Sequence, residues 1–116
     1  MATMPVLTQT INGIDVATSL AVNEIAGAGD VLPNDGTTIV VFSGQSGQVL
    51  TITAVSQKKA QGLTLADPAM TLAGDGFGIF GPFDPSVYNN ADGNVEFTYS
   101  GADLSNTYYA AIKGVK

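Results

Sequence analysis

The sequence predicts an all-β protein, a single antiparallel β-sandwich or jelly-roll-like barrel of about eight strands with one short helical turn near residues 85–89. Short apolar or alternating stretches recur along the chain, and clusters of Gly, Pro, Asn and Asp separate them. No segment keeps the 3.6-residue period of an amphipathic helix. At 116 residues the chain has the length of one domain. We therefore expect residues 14–116 to form one sandwich and residues 1–13 to form an N-terminal arm that can extend.

The first half of the chain contains three predicted strands. Residues 14–22 alternate between apolar and small or polar side chains, which predicts a half-buried strand. Residues 26–36 are rich in Gly and turn-forming residues and predict an ordered loop. Residues 37–43 are apolar on both faces, which favours a central strand covered on both sides. Residues 48–55 alternate again, and the short polar turn before them predicts that they form a hairpin with residues 37–43.

The second half contains shorter strands and one corner. Residues 56–62 are polar and predict an exposed loop, followed by short strands at 63–66, 69–72 and 77–81. Asp84-Pro85 has the form of a helix N-cap with proline in the first turn. A strand at 94–100 follows, with Val95, Phe97 and Tyr99 facing inward. A closing strand at 107–113 places Tyr108 and Tyr109 on opposite faces.

Charge and hydropathy exclude two classes of partner. The net charge is −6 and the chain has no Arg, so a phosphate backbone would be repelled and we expect no nucleic-acid partner. No apolar run approaches the ~20 residues that span a bilayer, so we expect no membrane segment. The N-terminal residues lack the basic and apolar regions of a secretory signal.

The residue types present argue against catalysis. The chain has no His and no Cys, which excludes His-based triads, thiol nucleophiles and imidazole or thiolate metal sites. The carboxylates of the C-terminal half could act as a pair, but their Gly, Pro and Asn neighbours favour turns. No segment has EF-hand or phosphate-loop spacing. We therefore expect no enzymatic activity, no cofactor and no metal.

Eight aromatic residues lie in the last 40 positions: Phe77, Phe80, Phe83, Tyr88, Phe97, Tyr99, Tyr108 and Tyr109. In an all-β domain without Trp, such a cluster favours core packing first, an interface second and a ligand platform third.

Several motifs resemble small tailed-bacteriophage capsid decoration, or cement, proteins. The resemblance covers residues 28–112 and lies in the segments Leu32–Phe42, Ala66–Pro68, Ile79–Asn89, Gly93–Ser100 and Tyr109–Ile112. It implies a β-sandwich on the exterior of a virion capsid, made in the bacterial host cytoplasm. The implied partners are the major capsid protein and further copies of the chain, as a trimer or dimer. The implied role is to stabilise the shell.

We expect partner contacts at the N-terminal arm and the outward tyrosine, that is, among Met4, Pro5, Val6, Leu7, Tyr108 and Tyr109. Two other functions fit the same sequence. One is a carbohydrate-binding module of a phage fibre or cell surface, in which Tyr108 or Tyr109 stacks on sugar. The other is a structural component of a phage tail, because fold alone does not determine the position on a particle.

Overall fold

The computed structural model of the chain describes residues 2–10, 13–16, 20, 22–44, 49–57, 59–60, 63–64, 67–74, 76–101 and 106–114. These residues form two packed sheets, a separate two-stranded ribbon and, at Pro85–Tyr88, a four-residue helix. The all-β sandwich predicted from the sequence is confirmed. The strands, numbered β1 to β11 in chain order, are Ala2–Thr3, Val6–Thr8, Asp30–Pro33, Thr38–Ser43, Leu50–Ala54, Lys59–Ala60, Leu63–Thr64, Ala69–Leu72, Phe77–Phe80, Asn94–Gly101 and Tyr108–Lys113.

Sheet 1 has five strands in the order β1-β3-β10-β5-β8, and sheet 2 has four in the order β2-β11-β4-β9. Strands β6 and β7 form a separate two-stranded ribbon. Most neighbours are antiparallel, but β1 runs parallel to β3 and β2 runs parallel to β11. The sheets are therefore mixed, and the expectation of a purely antiparallel sandwich is corrected on this point.

The core lies between the two sheets because alternate residues of each strand face inward. In β4 the buried residues are Thr38, Val40 and Phe42, and the residues between them are half-buried. In β10, Val95 and Phe97 are fully buried and Tyr99 packs against the core, as predicted. The rings of Phe42 and Phe97 meet edge to face with centroids 5.9 Å apart, which joins sheet 2 to sheet 1.

The N-terminal residues close one side of the sandwich. Strand β1 adds to sheet 1 and β2 adds to sheet 2, so the chain crosses between the sheets at Met4 and Pro5. The backbone N–H of Met4 donates to the carbonyl of Val31 at 2.9 Å, and the Met4 side chain is 1% exposed. Met4 is therefore a core residue that bridges the two edges.

The strand predicted at residues 14–22 is wrong for the residues that the structure describes there, while residues 17–19 and 21 lie outside the described residues. The described residues Val16, Leu20 and Val22 are helical. The chain leaves strand β11 where Gln9 N–H bonds the Lys113 carbonyl, and returns where Tyr109 N–H bonds the Asn23 carbonyl, each at 2.9 Å. Apolar residues at 16 and 20 also satisfy the i, i+4 spacing of a helix, so alternation over a short window did not determine the element.

The predicted hairpin between residues 37–43 and 48–55 is also wrong. Strand β4 pairs with β11 and β9 in sheet 2, whereas β5 pairs with β10 and β8 in sheet 1. Only one face of β4 is fully buried, rather than both. The connection is short enough for a hairpin, but it crosses from one layer to the other because both strands bury one apolar face in the shared core.

The segment predicted as an exposed loop at residues 56–62 is partly ordered into the fold. Ser56 is 5% exposed, and its backbone N–H donates to Asp67 Oδ1 at 2.7 Å. Lys59–Ala60 forms strand β6, while Lys58 lies outside the described residues.

The corner before β10 matches its prediction. Asp84 caps the Pro85–Tyr88 helix, and its Oδ1 accepts from the backbone N–H of Ser86 at 2.9 Å. The Phe83 ring is 3% exposed and lies against three other rings, those of Phe80, Tyr88 and Phe97. Buried aromatic contacts therefore fix the corner to the core.

Candidate functional site

The outer face of sheet 2, which points away from sheet 1, is apolar at nearly every position. Because Val40 and Phe42 point inward, the register places the residues between and beside them on the outer face. These outward residues are Leu7, Ile39, Val41, Ser43, Phe77, Ile79, Tyr108, Ala110 and Ile112. A sheet face with a solvated outer side usually carries polar residues, so this composition marks the face as a candidate interaction surface.

Exposure on this face increases toward strand β9. Ala110 is fully buried, and Ile39, Val41 and Ile112 are half-buried. Phe77 and Ile79 are 71% and 65% exposed, among the most exposed large apolar side chains of the described residues. We call Phe77 and Ile79 with their backbone the β9 margin. The accessible apolar surface of sheet 2 is concentrated there.

The β9 margin also has a free hydrogen-bonding edge. Gly44 N–H donates to the Gly76 carbonyl at 2.8 Å, and the register then continues without a break through β4 and β9. Since alternate residues of an antiparallel strand bond to the same neighbour, the backbone groups of Gly78 and Phe80 face β4. Those of Phe77 and Ile79 face away, and no strand within the described ranges pairs with them.

Side chains of strand β8 pack against the inner side of the β9 margin. A Cβ atom built on Gly78 would lie 2.7 Å from both Met70 Sδ and Leu72 Cδ2, so the two side chains pack directly on the glycine backbone. A shallow cavity of about 280 Å³ continues the margin, lined mainly by the apolar residues Pro68, Ile79, Phe80, Pro82, Phe83 and Tyr88. The margin is thus a supported apolar surface.

A second cleft, of about 430 Å³, is polar and lies where β2, β4 and β11 meet the turns before β4 and β10. Within it Lys113 Nζ lies 3.4 Å from Asp35 Oδ2. Asp35 Oδ1 accepts from the Thr37 hydroxyl at 2.7 Å and from the Thr37 N–H at 2.9 Å. These hydrogen bonds, with a smaller contribution from Lys113, hold the pKa of Asp35 well below its usual range. Asp35 therefore stabilises the turn before β4.

One buried carboxylate lies inside the sandwich. Asp30 is 1% exposed, and its Oδ2 accepts from the Tyr99 hydroxyl at 2.6 Å and from the Ala26 N–H at 3.1 Å. Burial, together with the hydrogen bond to Asp30, raises the pKa of Tyr99 far above its usual value. This pair lies in the core, away from the outer face.

The residues expected to contact a partner are dispersed by the fold. Met4 and Tyr109 are core residues, the latter 4% exposed. Pro5 is exposed, and Leu7 and Tyr108 are half-buried on the outer face of sheet 2. Val6 lines the polar cleft. Tyr108 and Tyr109 lie on opposite faces of β11, as the strand period predicts, so Tyr108 alone of this pair can meet a partner of the folded domain.

The β9 margin was not among the expected contact residues. Its sequence signal is Phe-Gly-Ile-Phe at residues 77–80, an apolar strand with no charged residue. The apolar character was visible, but whether β9 lies at an edge depends on the order of strands in the sheet.

Within the part of the chain that the structure describes, no three acidic, His or Cys side chains cluster as metal ligands would. A search of the same residues finds no helix with the length and hydropathy needed to cross a bilayer. Comparison with protein-family models, curated proteins and solved structures gives no match. The surfaces described above therefore carry the functional argument.

Proposed function

We propose that this protein is a structural virion component that binds the outer surface of an assembled phage capsid and stabilises it, without enzymatic activity. The carrying observation is the apolar outer face of sheet 2, which lies outside a core that is already filled and is most accessible at the β9 margin. Such a face on a folded domain is typical of a protein that is completed by a partner. The resemblance of residues 28–112 to capsid decoration proteins indicates which partner.

The major capsid protein is the proposed partner. Leu7 and Tyr108 lie on the outer face, and Pro5 is exposed at the crossing between the sheets. Charged residues make up only 12% of the chain, about half the usual share, so contact with a large protein surface requires little desolvation of charge.

The test is binding of the purified protein to emptied, expanded phage heads, measured by cosedimentation and by the temperature at which the heads disrupt. We expect bound protein and a higher disruption temperature. Leu7→Asp should weaken binding because it places a charge on the apolar face, while Val22→Asp, at a residue 72% exposed, should bind like the wild type. The proposal would be rejected if no protein sediments with the heads and the disruption temperature does not rise. Immunogold labelling of whole virions distinguishes head from tail.

A carbohydrate-binding role is the second proposal, and the half-buried outward ring of Tyr108 supports it. In that role Tyr108→Ala would abolish glycan binding without lowering stability by more than about 1 kcal/mol. A glycan array without hits removes this alternative.

A further inference from the structure

We propose that two copies of this chain pair through their β9 strands, antiparallel and about a two-fold axis at Gly78. The pairing would join the two four-stranded sheets into one eight-stranded sheet, in the order β2-β11-β4-β9 followed by the same strands reversed. The partner of the β9 margin is thus a second copy. This pairing does not depend on the proposed binding to capsids.

The backbone geometry determines the register. In an antiparallel pair, residues directly opposite each other share a face, so an outward residue of β9 must oppose an outward residue of the second copy. Placing Gly78 opposite itself sets Phe77 against Ile79 of the second copy, and Ile79 against Phe77. These two residues carry the backbone groups that face away from β4. The pairing therefore forms four hydrogen bonds, two at each Phe77–Ile79 pair.

Charge favours a second copy at this edge. The chain carries a net charge of −6, so most of its surface repels another copy. Residues 76–83, which include all of β9, contain no ionisable side chain. Exposed edge strands are usually protected by a lysine, a proline or a bulge, whereas β9 has none of these and an unbroken register. The edge is neutral, apolar and open to pairing.

The available area indicates a weak dimer. With a full aromatic side chain contributing about 150–250 Å², Phe77 and Ile79 together expose roughly 250 Å² per copy. The two copies would bury at most about 500 Å² through these side chains, because pairing at the edge leaves their outward sides in solvent, and the strand edges and the flanking cavity would bring the total toward the ~1,000 Å² of the smallest specific interfaces. We therefore expect an association that depends on concentration and that increases when copies are held close together.

Sedimentation equilibrium from about 10 µM to about 1 mM tests the pairing. The wild-type mass should rise from 11.8 kDa toward twice that value. Ile79→Lys adds a charge to the edge, so it should remain at the monomer mass at every concentration. Val22→Lys is the matched control, since Val22 and Ile79 are 72% and 65% exposed, and it should associate like the wild type.

The register has its own test, because the chain contains no Cys. Opposite residues of a hydrogen-bonded pair lie about 5.5 Å apart at Cα, within the range that a disulfide spans. Mild oxidation of F77C mixed with I79C should give more disulfide-linked dimer than either variant alone. A wild type that stays monomeric, association that survives Ile79→Lys, or equal cross-linking in all three samples would overturn the proposal. These outcomes concern the pairing alone, and cosedimentation of the wild type with emptied heads tests the proposed function separately.

Discussion

Tyr99 and Asp30 are 69 residues apart in sequence, and their side chains meet inside the sandwich, where the tyrosine hydroxyl donates to Asp30 Oδ2 at 2.6 Å. Asp30 opposes Phe97 in the register between β3 and β10, so Tyr99 reaches it from the next inward position along β10. A carboxylate that is 1% exposed requires hydrogen-bond donors, because an unpaired buried acceptor costs free energy. Tyr99 supplies one donor and the Ala26 N–H supplies the other.

Tyr99→Phe should lower the free energy of unfolding by about 1–3 kcal/mol, because it removes a donor from a buried carboxylate. Urea denaturation of wild type and variant measures the change. Tyr108→Phe, at the half-buried outward tyrosine of β11, is the control and should change stability by less than about 0.5 kcal/mol. Equal effects of the two substitutions would show that the Tyr99 hydroxyl does not stabilise the core.

Stability should decrease as pH rises above about 10, where tyrosines of the unfolded chain ionise. Burial and the Asp30 hydrogen bond raise the pKa of Tyr99, and burial raises that of Tyr109 to about 12. The folded state therefore keeps protons that the unfolded state loses, and Tyr99 contributes up to about 1.4 kcal/mol per pH unit. Urea midpoints from pH 8 to 11 should show a steeper fall for the wild type than for Tyr99→Phe. Parallel profiles would contradict the assignment to Tyr99.

Lowering the pH should remove the contribution of Asp35 to the free energy of unfolding. Its pKa is depressed, so its stabilising contribution is present above the unfolded value near 4 and is lost as pH falls below it. Asp35→Asn should flatten the dependence of the urea midpoint on pH between 4 and 2. Lys113→Met should keep most of that dependence, because the Thr37 hydrogen bonds are the larger cause. If Lys113→Met flattens the profile as much as Asp35→Asn, the ion pair is the larger cause instead.

Phe83→Ala should destabilise the fold by about 3–5 kcal/mol, because it empties a ring site that is 3% exposed and surrounded by aromatic side chains. Phe77→Ala makes the same truncation at a ring 71% exposed and should cost less than about 1 kcal/mol in dilute protein. Denaturant midpoints of both variants check the contrast. A cost below about 1 kcal/mol at Phe83 would show that the corner is not fixed through this ring.

Local signals predicted local features of this fold well. Asp84-Pro85 specified the capped helix because a side-chain acceptor and a fixed proline φ act within one turn. The residues of β10 that face inward were predictable because side chains alternate between the two faces of a strand and only one face meets the core. Both inferences need only neighbouring residues, and both were confirmed.

Features that depend on distant partners were not predictable. The short turn between β4 and β5 fitted a hairpin, but β4 gains β11 and β9 as neighbours, and nothing within residues 37–55 encodes that choice. Residues 14–22 alternate over too short a window to separate a strand from a helix. The β9 margin was missed for a related reason, since the exposure of Phe77 and Ile79 follows from the order of strands in the sheet.

The parallel pairing of β2 with β11 determines when the sandwich can close during synthesis. Residues 6–8 are synthesised about a hundred residues before their hydrogen-bonding partners, residues 111–113. During translation β1 can pair once β3 is made, but β2 cannot pair until β11 has been added. Closure of the sandwich is therefore a late step, and such long-range contacts slow folding. Until β11 has been made, β2 lacks its pairing strand and the Met4 side chain lacks part of its core, so the nascent chain is vulnerable to aggregation until that point.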